Sequence, residues 1–155
     1  MNPIPVAPCP ASLAQCAQEL AQSPWPSAQP QFLHKIPAGF PSPACDYVEG
    51  GLDLNEYLVQ HKAASYYFNV EGDSMVGAGI LDGDKVLVDK SVTPLHGHIV
   101  VAVIDAEYTL KRLYCQNGVV ELRPENPAYS PLRLQEGNDL HVWGVVTAVV
   151  RKFRL

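Results

Sequence analysis

Residues 98–123 read HIVVAVIDAEYTLKRLYCQNGVVELR and consist of three runs rich in β-branched and aromatic residues. Two pairs of turn residues, Asp105-Ala106 and Asn117-Gly118, separate the runs. Asn-Gly between apolar runs is the strongest short-range signal for a β-hairpin. The stretch therefore predicts three consecutive antiparallel strands, over residues 98–104, 107–114 and 119–123.

The same kind of pattern continues on both sides of this stretch. Further strands are predicted over residues 66–70, 85–89 and 140–150, with turns at Asp82-Gly83-Asp84, Leu95-His96-Gly97 and Glu136-Gly137-Asn138. Asp53 followed three residues later by Glu56 resembles a capping box, which predicts one short helix over residues 53–60. The expected fold class is mainly β, a compact antiparallel β domain with one short helix.

The first 44 residues differ in composition from the rest of the chain. They hold ten of the 14 prolines, one of the 11 glycines and only two charged residues, Glu19 and Lys35. Proline fixes φ and removes a backbone donor, so regular structure is expected here only between Ala11 and Gln22. We therefore predict a flexible Pro-rich N-terminal arm over residues 1–44, followed by the β domain over residues 45–155.

Length, charge and cysteine content exclude several classes of protein. A chain of 155 residues with a net charge of −5 is expected to form one domain plus an appendage, and is a poor candidate for direct binding to duplex DNA. The cysteines at positions 9, 16, 45 and 115 have no CxxC spacing, which favours reduced thiols in the cytoplasm. No apolar run approaches the length of a membrane span, so no membrane association is expected. We also expect no cofactor and no metal.

Two residues could together carry hydrolytic chemistry. Ser74 lies in Gly72-Asp73-Ser74-Met75, a turn that can expose the hydroxyl and direct the backbone N–H groups of Asp73 and Ser74 at a developing oxyanion. The period of two in the predicted strand places Lys111 on the same face as Thr109, where the lysine can point inward. A neutral amine can accept the proton of a serine hydroxyl. Taken singly, each motif is also typical of an ordinary turn or of a charged edge strand.

The order of motifs along the chain resembles the LexA/UmuD family of self-cleaving serine-lysine proteins. The matching stretches are residues 38–44 (AGFPSPA), 72–75 (GDSM), 82–89 (DGDKVLVD), 97–101 (GHIVV), 109–113 (TLKRL) and 143–146 (WGVV). The resemblance implies that Ser74 is the nucleophile, that Lys111 is the general base and that the Ala38-Gly39 bond is the self-cleavage site. Small residues at this bond and prolines on both sides favour an extended, accessible backbone. His98 departs from the family pattern, which has an acidic residue there.

Two branches of this family differ in what precedes the β domain. The repressors carry an N-terminal DNA-binding domain, and an arm with two charged residues stands in its place here, so repressor function is not expected. The UmuD-like branch implies a homodimer that cleaves itself on a RecA filament formed on single-stranded DNA during the SOS response. The shortened dimer is then expected to join a Y-family DNA polymerase catalytic subunit, as accessory subunit of an error-prone translesion polymerase.

Other interpretations stay open on the residues alone. A signal-peptidase-like enzyme also uses a serine and a lysine, but it needs a membrane anchor, which we do not expect in this chain. A non-catalytic polymerase-binding scaffold is disfavoured because Ser74, Lys111 and Ala38-Gly39 are all retained. His96 and His98 lack Cys or carboxylate partners at ligand-like spacing, which disfavours a metal site. A histidine as the base of Ser74 is compatible with the residues, although the resemblance assigns that role to Lys111.

Overall fold

The computed structural model describes residues 29–32, 36, 38–40, 48–133 and 140–155 of the chain. Contacts divide the chain after Asp53 into two compact units, of which the second is Leu54–Leu155. Three predictions lie outside the described residues: the boundary between residues 44 and 45, the helical pattern between Ala11 and Gln22, and the turn at Glu136-Gly137-Asn138.

The first unit contains a two-stranded antiparallel sheet. Strand β1 (Gln29–Phe32) pairs with strand β2 (Val48–Leu52), and Pro30 lies opposite Gly51. The prediction that regular structure before residue 45 is confined to the stretch between Ala11 and Gln22 is therefore wrong. Each strand of a two-stranded sheet bonds on one side only, so a proline that lacks its N–H is tolerated there.

The second unit is built on one antiparallel sheet of seven strands, in the order β3-β4-β9-β5-β6-β7-β8. Its elements are helix α1 (Leu54–Leu58) and strands β3 (Ser65–Asn69), β4 (Lys85–Asp89), β5 (Ile99–Ile104), β6 (Glu107–Gln116), β7 (Val119–Arg123), β8 (Leu132–Arg133) and β9 (Leu140–Val150). A single turn of 3-10 helix lies at Lys62–Ala64 and another at Val76–Ala78. The predicted fold class, a mainly antiparallel β domain with one short helix, is confirmed. No helix in the described part of the chain has the length and apolar character needed to cross a membrane.

Both predicted hairpin turns are present in the central sheet. Asp105 and Ala106 have φ of 48° and 67°, and Asn117 and Gly118 have φ of 53° and 75°. Positive φ at both central residues is the type I′ geometry, whose twist matches that of the flanking strands. These two turns set the β5-β6 and β6-β7 registers, and so determine which face of β6 each side chain occupies.

The core lies on both faces of the sheet. In β5, Val101 belongs to one buried cluster and its neighbours Val100 and Ala102 belong to the other, because successive strand residues point to opposite faces. The cluster around Val101 also contains Met75 and Ile80 from the connection between β3 and β4. Their burial holds that connection against one face of the sheet, next to β6.

Gly144 occupies a tight position in β9, where it pairs with Val101. A Cβ atom there would lie 2.8 Å from Val88 Cγ1 and 3.1 Å from the Asp89 carbonyl oxygen. We expect Gly144→Ala to lower the free energy of unfolding by about 1–3 kcal/mol, measured by urea denaturation, because the added methyl overpacks the sheet. Gly39→Ala is the control, since nothing lies within 4 Å of its Cβ position. Equal stabilities of the two variants would contradict the packing argument.

Candidate active site

Ser74 lies in the connection between β3 and β4, on a turn that is anchored on both sides. Gly72 and Gly79 have positive φ, of 91° and 78°, a backbone conformation that glycine adopts without steric cost before and after the serine. Met75, only 2 % exposed, inserts into the core directly after Ser74. Ser74 itself is partly buried.

Lys111 reaches this serine from β6. Its Nζ lies 3.0 Å from Ser74 Oγ, 3.0 Å from Thr109 Oγ1 and 3.0 Å from the Leu110 carbonyl oxygen. The type I′ turns place Lys111 opposite Val100 and on the same face as Thr109, as the period of two predicts. The structure thus brings together two residues that are 37 positions apart in the chain.

The three oxygens around Lys111 Nζ can satisfy either protonation state, since an ammonium can donate to all three and a neutral amine can donate to two of them. A neutral amine has two hydrogens and one lone pair, whereas a lysine ammonium has three hydrogens. The Leu110 carbonyl oxygen can only accept a hydrogen, and the Thr109 hydroxyl oxygen can accept the second. That leaves the lone pair for the hydroxyl hydrogen of Ser74. Thr109 was placed on this face by the sequence pattern, but its role as an acceptor was missed.

The surroundings of Lys111 favour the neutral amine. Burial lowers the pKa of Lys111, because removing water from around the ammonium penalises its charged form. Among the described residues, no carboxylate forms an ion pair with this lysine to offset that penalty. The amine is therefore easier to deprotonate than that of a solvated lysine.

Ser74 and Lys111 line a common pocket. A cavity of about 130 Å³ is lined by Gly72, Ser74, Met75 and Lys111, among others. A more apolar cleft of about 190 Å³ adjoins this pocket. The two share five lining residues, Val70, Glu71, Tyr108, Thr109 and Leu110. The lining of the cleft also includes Phe68 and Val101. A polypeptide bound there in extended conformation would contact a polar pocket and an apolar surface that lie next to each other.

The turn that carries Ser74 is supported by the chain after β7. The Glu125 N–H donates a hydrogen bond of 2.8 Å to the Ser74 carbonyl oxygen, and the Gly77 N–H donates one of 2.7 Å to the Glu125 carbonyl oxygen. Sequence reasoning missed this support entirely. Its bonds join backbone atoms about 50 residues apart, and such pairs leave no local pattern in the sequence.

Ala38 and Gly39 belong to the first unit, where residues 38–40 form an exposed bend. The expectation of an extended backbone at this bond is therefore wrong for residues 38–40. The flanking side chains of Ile36 and Phe40 are 91 % and 93 % exposed, and a Cβ atom at Gly39 would have nothing within 4 Å. This bond is thus accessible within its own unit, as a peptidase substrate must be.

The two histidines considered as alternatives have other partners. His98 Nδ1 accepts a 3.2 Å hydrogen bond from the Leu95 N–H, and His96 Nδ1 accepts one of 3.2 Å from the Cys115 N–H. Both rings therefore support the turn between β4 and β5, and within the described ranges neither hydrogen-bonds with Ser74. Over the same part of the chain, no group of three or more His, Cys, Asp or Glu residues is arranged to hold a metal ion.

Comparison with known proteins adds an independent line of evidence. The family model of Peptidase S24-like proteins matches residues 30–147 of the chain. Protein SamA of Salmonella typhimurium strain LT2 is 45% identical over 133 residues, which are 86% of this chain and 92% of SamA. Protein ImpA of Escherichia coli is 41% identical over 132 residues, 81% of this chain and 86% of ImpA. Protein MucA of Escherichia coli is 44% identical over 119 residues, 76% of this chain and 81% of MucA. The family resemblance inferred from the motifs is confirmed.

Proposed function

The chain belongs to the peptidase S24-like family, and we propose that it is a serine peptidase that cuts its own Ala38-Gly39 bond. In this proposal Ser74 is the nucleophile and Lys111 is the general base. The observation that carries it is the 3.0 Å separation of Lys111 Nζ and Ser74 Oγ, with the two other oxygens placed to accept the amine hydrogens.

The proposed reaction is an acyl transfer followed by hydrolysis. Ser74 Oγ attacks the carbonyl carbon of Ala38 while its proton passes to Lys111 Nζ. Collapse of the tetrahedral intermediate breaks the bond to Gly39, whose nitrogen takes the proton from Lys111 and leaves as an amine. Water, deprotonated by the same lysine, then hydrolyses the Ser74 ester and restores the enzyme.

Backbone donors are available to stabilise the oxyanion. Within the described ranges, neither the Asp73 N–H nor the Ser74 N–H donates to another group of the protein. We propose that these two N–H groups bind the oxygen of the tetrahedral intermediate, as preorganised donors do in other acyl-transfer sites. The support that holds the turn also holds these donors.

The cellular role proposed here follows from the family resemblance. We propose a cytoplasmic protein of the SOS response, a homodimer that is stimulated to cleave itself by a RecA filament on single-stranded DNA. After cleavage, the shortened dimer would serve as accessory subunit of an error-prone translesion DNA polymerase with a Y-family catalytic subunit. A net charge of −5 supports an action through protein partners rather than through duplex DNA.

A purely scaffolding role is less well supported than a catalytic one. A protein that only bound a polymerase would have no need for a partly buried lysine that lacks a carboxylate partner, because such a lysine destabilises the fold. The structure has this lysine in hydrogen-bonding distance of Ser74. A signal-peptidase-like enzyme would use the same two residues on other chains and would leave its own chain uncut, so self-cleavage of the purified chain distinguishes the two functions.

Incubation of the purified chain at alkaline pH is expected to yield fragments of 38 and 117 residues from its 155. N-terminal sequencing of the larger fragment should read Gly-Phe-Pro-Ser-Pro. Any other start would refute the proposed site, and an uncut chain would favour the scaffold or the signal-peptidase-like alternative.

Gly39→Leu is expected to block this cleavage by more than about tenfold, because a bulky side chain next to the scissile bond obstructs the approach of the nucleophile. The fold should not change, since the position is open in the free chain. Gln116→Leu, at an exposed position at the end of β6, is the control and should be cut at the wild-type rate. Equal rates for the two variants would mean that this bond is not the one that is cut.

A further inference from the structure

Residues 124–131, which follow β7, form a loop that contacts the serine turn through both side chains and backbone. The Tyr129 hydroxyl donates a hydrogen bond of 2.5 Å to Asp73 Oδ1. The Asn126 side-chain amide donates one of 3.0 Å to the Asp73 carbonyl oxygen, with a longer contact of 3.4 Å to Asp73 Oδ2. Asp73 directly precedes Ser74, so two side chains of this loop hold the residue next to the nucleophile.

The backbone of the loop also packs tightly against the turn that carries Ser74. In addition to the bonds that join Glu125 to Ser74 and Gly77, a Cβ atom at Gly77 would lie 2.6 Å from the Glu125 carbonyl oxygen. No side chain fits in that space, so the glycine is needed for the approach of the loop. The turn and the loop therefore pack as one piece.

The loop is also tied to the strand that carries the general base. The Glu125 carboxylate forms an ion pair with Arg112, which directly follows Lys111 in β6. Arg112 Nη1 donates a second bond of 2.7 Å to the Gly97 carbonyl oxygen, which fixes the arginine from the other side. Glu125 thus connects the turn of the nucleophile with the strand of the base.

We propose that residues 124–131 position the nucleophile, and that the contact between Tyr129 and Asp73 sets the distance from Ser74 to Lys111. Tyr129 and Asp73 are positioning residues in this inference, since neither side chain touches Ser74 Oγ or Lys111 Nζ. The inference rests on the proposed function and names the part of the chain that makes the dyad effective. Small displacements of a nucleophile reduce rates strongly, because attack requires aligned atoms at close range.

The hydrogen bond from Tyr129 to Asp73 favours the protonated form of the tyrosine. The bond to Asp73, together with the negative charge of that carboxylate, raises the pKa of the Tyr129 hydroxyl. The hydroxyl therefore remains a neutral donor up to a higher pH than the hydroxyl of a solvated tyrosine does. A tyrosine that ionised earlier would repel Asp73 and release the turn.

A double-mutant cycle on self-cleavage tests this inference. We expect Tyr129→Phe and Asp73→Ala each to slow cleavage by about tenfold to a hundredfold, and the double variant to be no slower than the slower single variant. The rate of each variant should rise with pH over the same range as in the wild type, since Thr109 and the Leu110 carbonyl beside Lys111 Nζ are unchanged. Tyr67→Phe, which removes the hydroxyl of an exposed tyrosine in β3, is the control and should cleave at the wild-type rate.

Two further readouts separate positioning from a general loss of structure. The thermal unfolding midpoint of Tyr129→Phe should lie within a few degrees of that of Tyr67→Phe, because the lost hydrogen bond is exposed to solvent, while labelling of Ser74 by a fluorophosphonate probe should slow in parallel with cleavage. The labelling does not depend on docking of the Ala38-Gly39 bond, so it tests the loop even if self-cleavage itself is not observed. Wild-type labelling and cleavage in Tyr129→Phe, slowing that multiplies in the double variant, or no labelling of Ser74 in the wild type would each overturn the inference.

Discussion

Ser74→Ala is expected to abolish self-cleavage. The substitution removes the atom that is proposed to form the covalent bond to Ala38, and loss of the nucleophile in comparable sites costs on the order of 10⁴–10⁶ in rate. The fold should persist, because the Ser74 hydroxyl is bonded to Lys111 alone among the described residues, whereas the backbone of the turn is held by Glu125. Gel electrophoresis after incubation at alkaline pH measures the effect.

A matched control separates chemistry from stability. Ser65→Ala removes a hydroxyl that bonds only to the His61 carbonyl oxygen in the described structure, at the start of β3, and should leave cleavage unchanged. Thermal unfolding of both variants should match that of the wild type within a few degrees. Processing of Ser74→Ala at the wild-type rate would remove this serine from the mechanism.

Lys111→Met is expected to abolish cleavage at every pH, because methionine has a similar length but cannot accept a proton. In the wild type, the rate should rise by about tenfold per pH unit below the folded pKa of Lys111 and level off above it, as the neutral amine becomes populated. Burial lowers that pKa, so the rise begins at a lower pH than for a solvated lysine. The exposed Lys62 provides the control, and Lys62→Met should keep the wild-type pH profile.

The same lysine makes the stability of the protein depend on pH. Because the folded pKa lies below the unfolded one, the unfolded state binds more protons between these two values, and the free energy of unfolding rises with pH across that interval. Below the folded pKa the buried charge destabilises the fold in full, and above the unfolded pKa this effect is absent. Lys111→Met should therefore be at least as stable as the wild type at neutral pH, and any gain should vanish at high pH, as measured by urea unfolding. For the cleavage reaction itself, a wild-type rate that is flat from pH 6 to pH 10, or cleavage by Lys111→Met, would identify another group as the base.

We further propose that the RecA filament accelerates the reaction by holding the Ala38-Gly39 bond over the site. A docked segment covers the lysine and excludes water, which lowers the pKa of the amine further and places the carbonyl near the nucleophile. Stimulation should then be greatest at neutral pH, where most of the amine is still protonated, and small at alkaline pH.

Local sequence patterns are sufficient to predict most strands of the seven-stranded sheet. Strands β4, β7 and β9 have the predicted bounds. Turn residues mark where strands begin, as Asp82-Gly83-Asp84 does before β4 and Asn117-Gly118 does before β7. Strand β6 extends to Gln116, two residues beyond the prediction, since its pairing with β7 continues up to the turn. The position of β9 between β4 and β5 is a long-range property that no local period encodes.

Elements that break local rules were missed. Strand β1 contains Pro30 and strand β2 contains Gly50 and Gly51, and each of these residues argues against a strand when it is considered alone. Their pairing with each other overrides that preference. In the site, a family resemblance singled out Ser74 and Lys111, whereas the residues that support them had no motif to reveal them.

The most direct test of the central proposal is the intact mass of the purified wild-type chain after incubation alone at alkaline pH. The proposal predicts two products of 38 and 117 residues, with masses that add up to the intact chain plus one water, and an unchanged mass for Lys111→Met in a separate tube. A wild-type chain that stays intact at every pH, or the same two products from Lys111→Met, would contradict it.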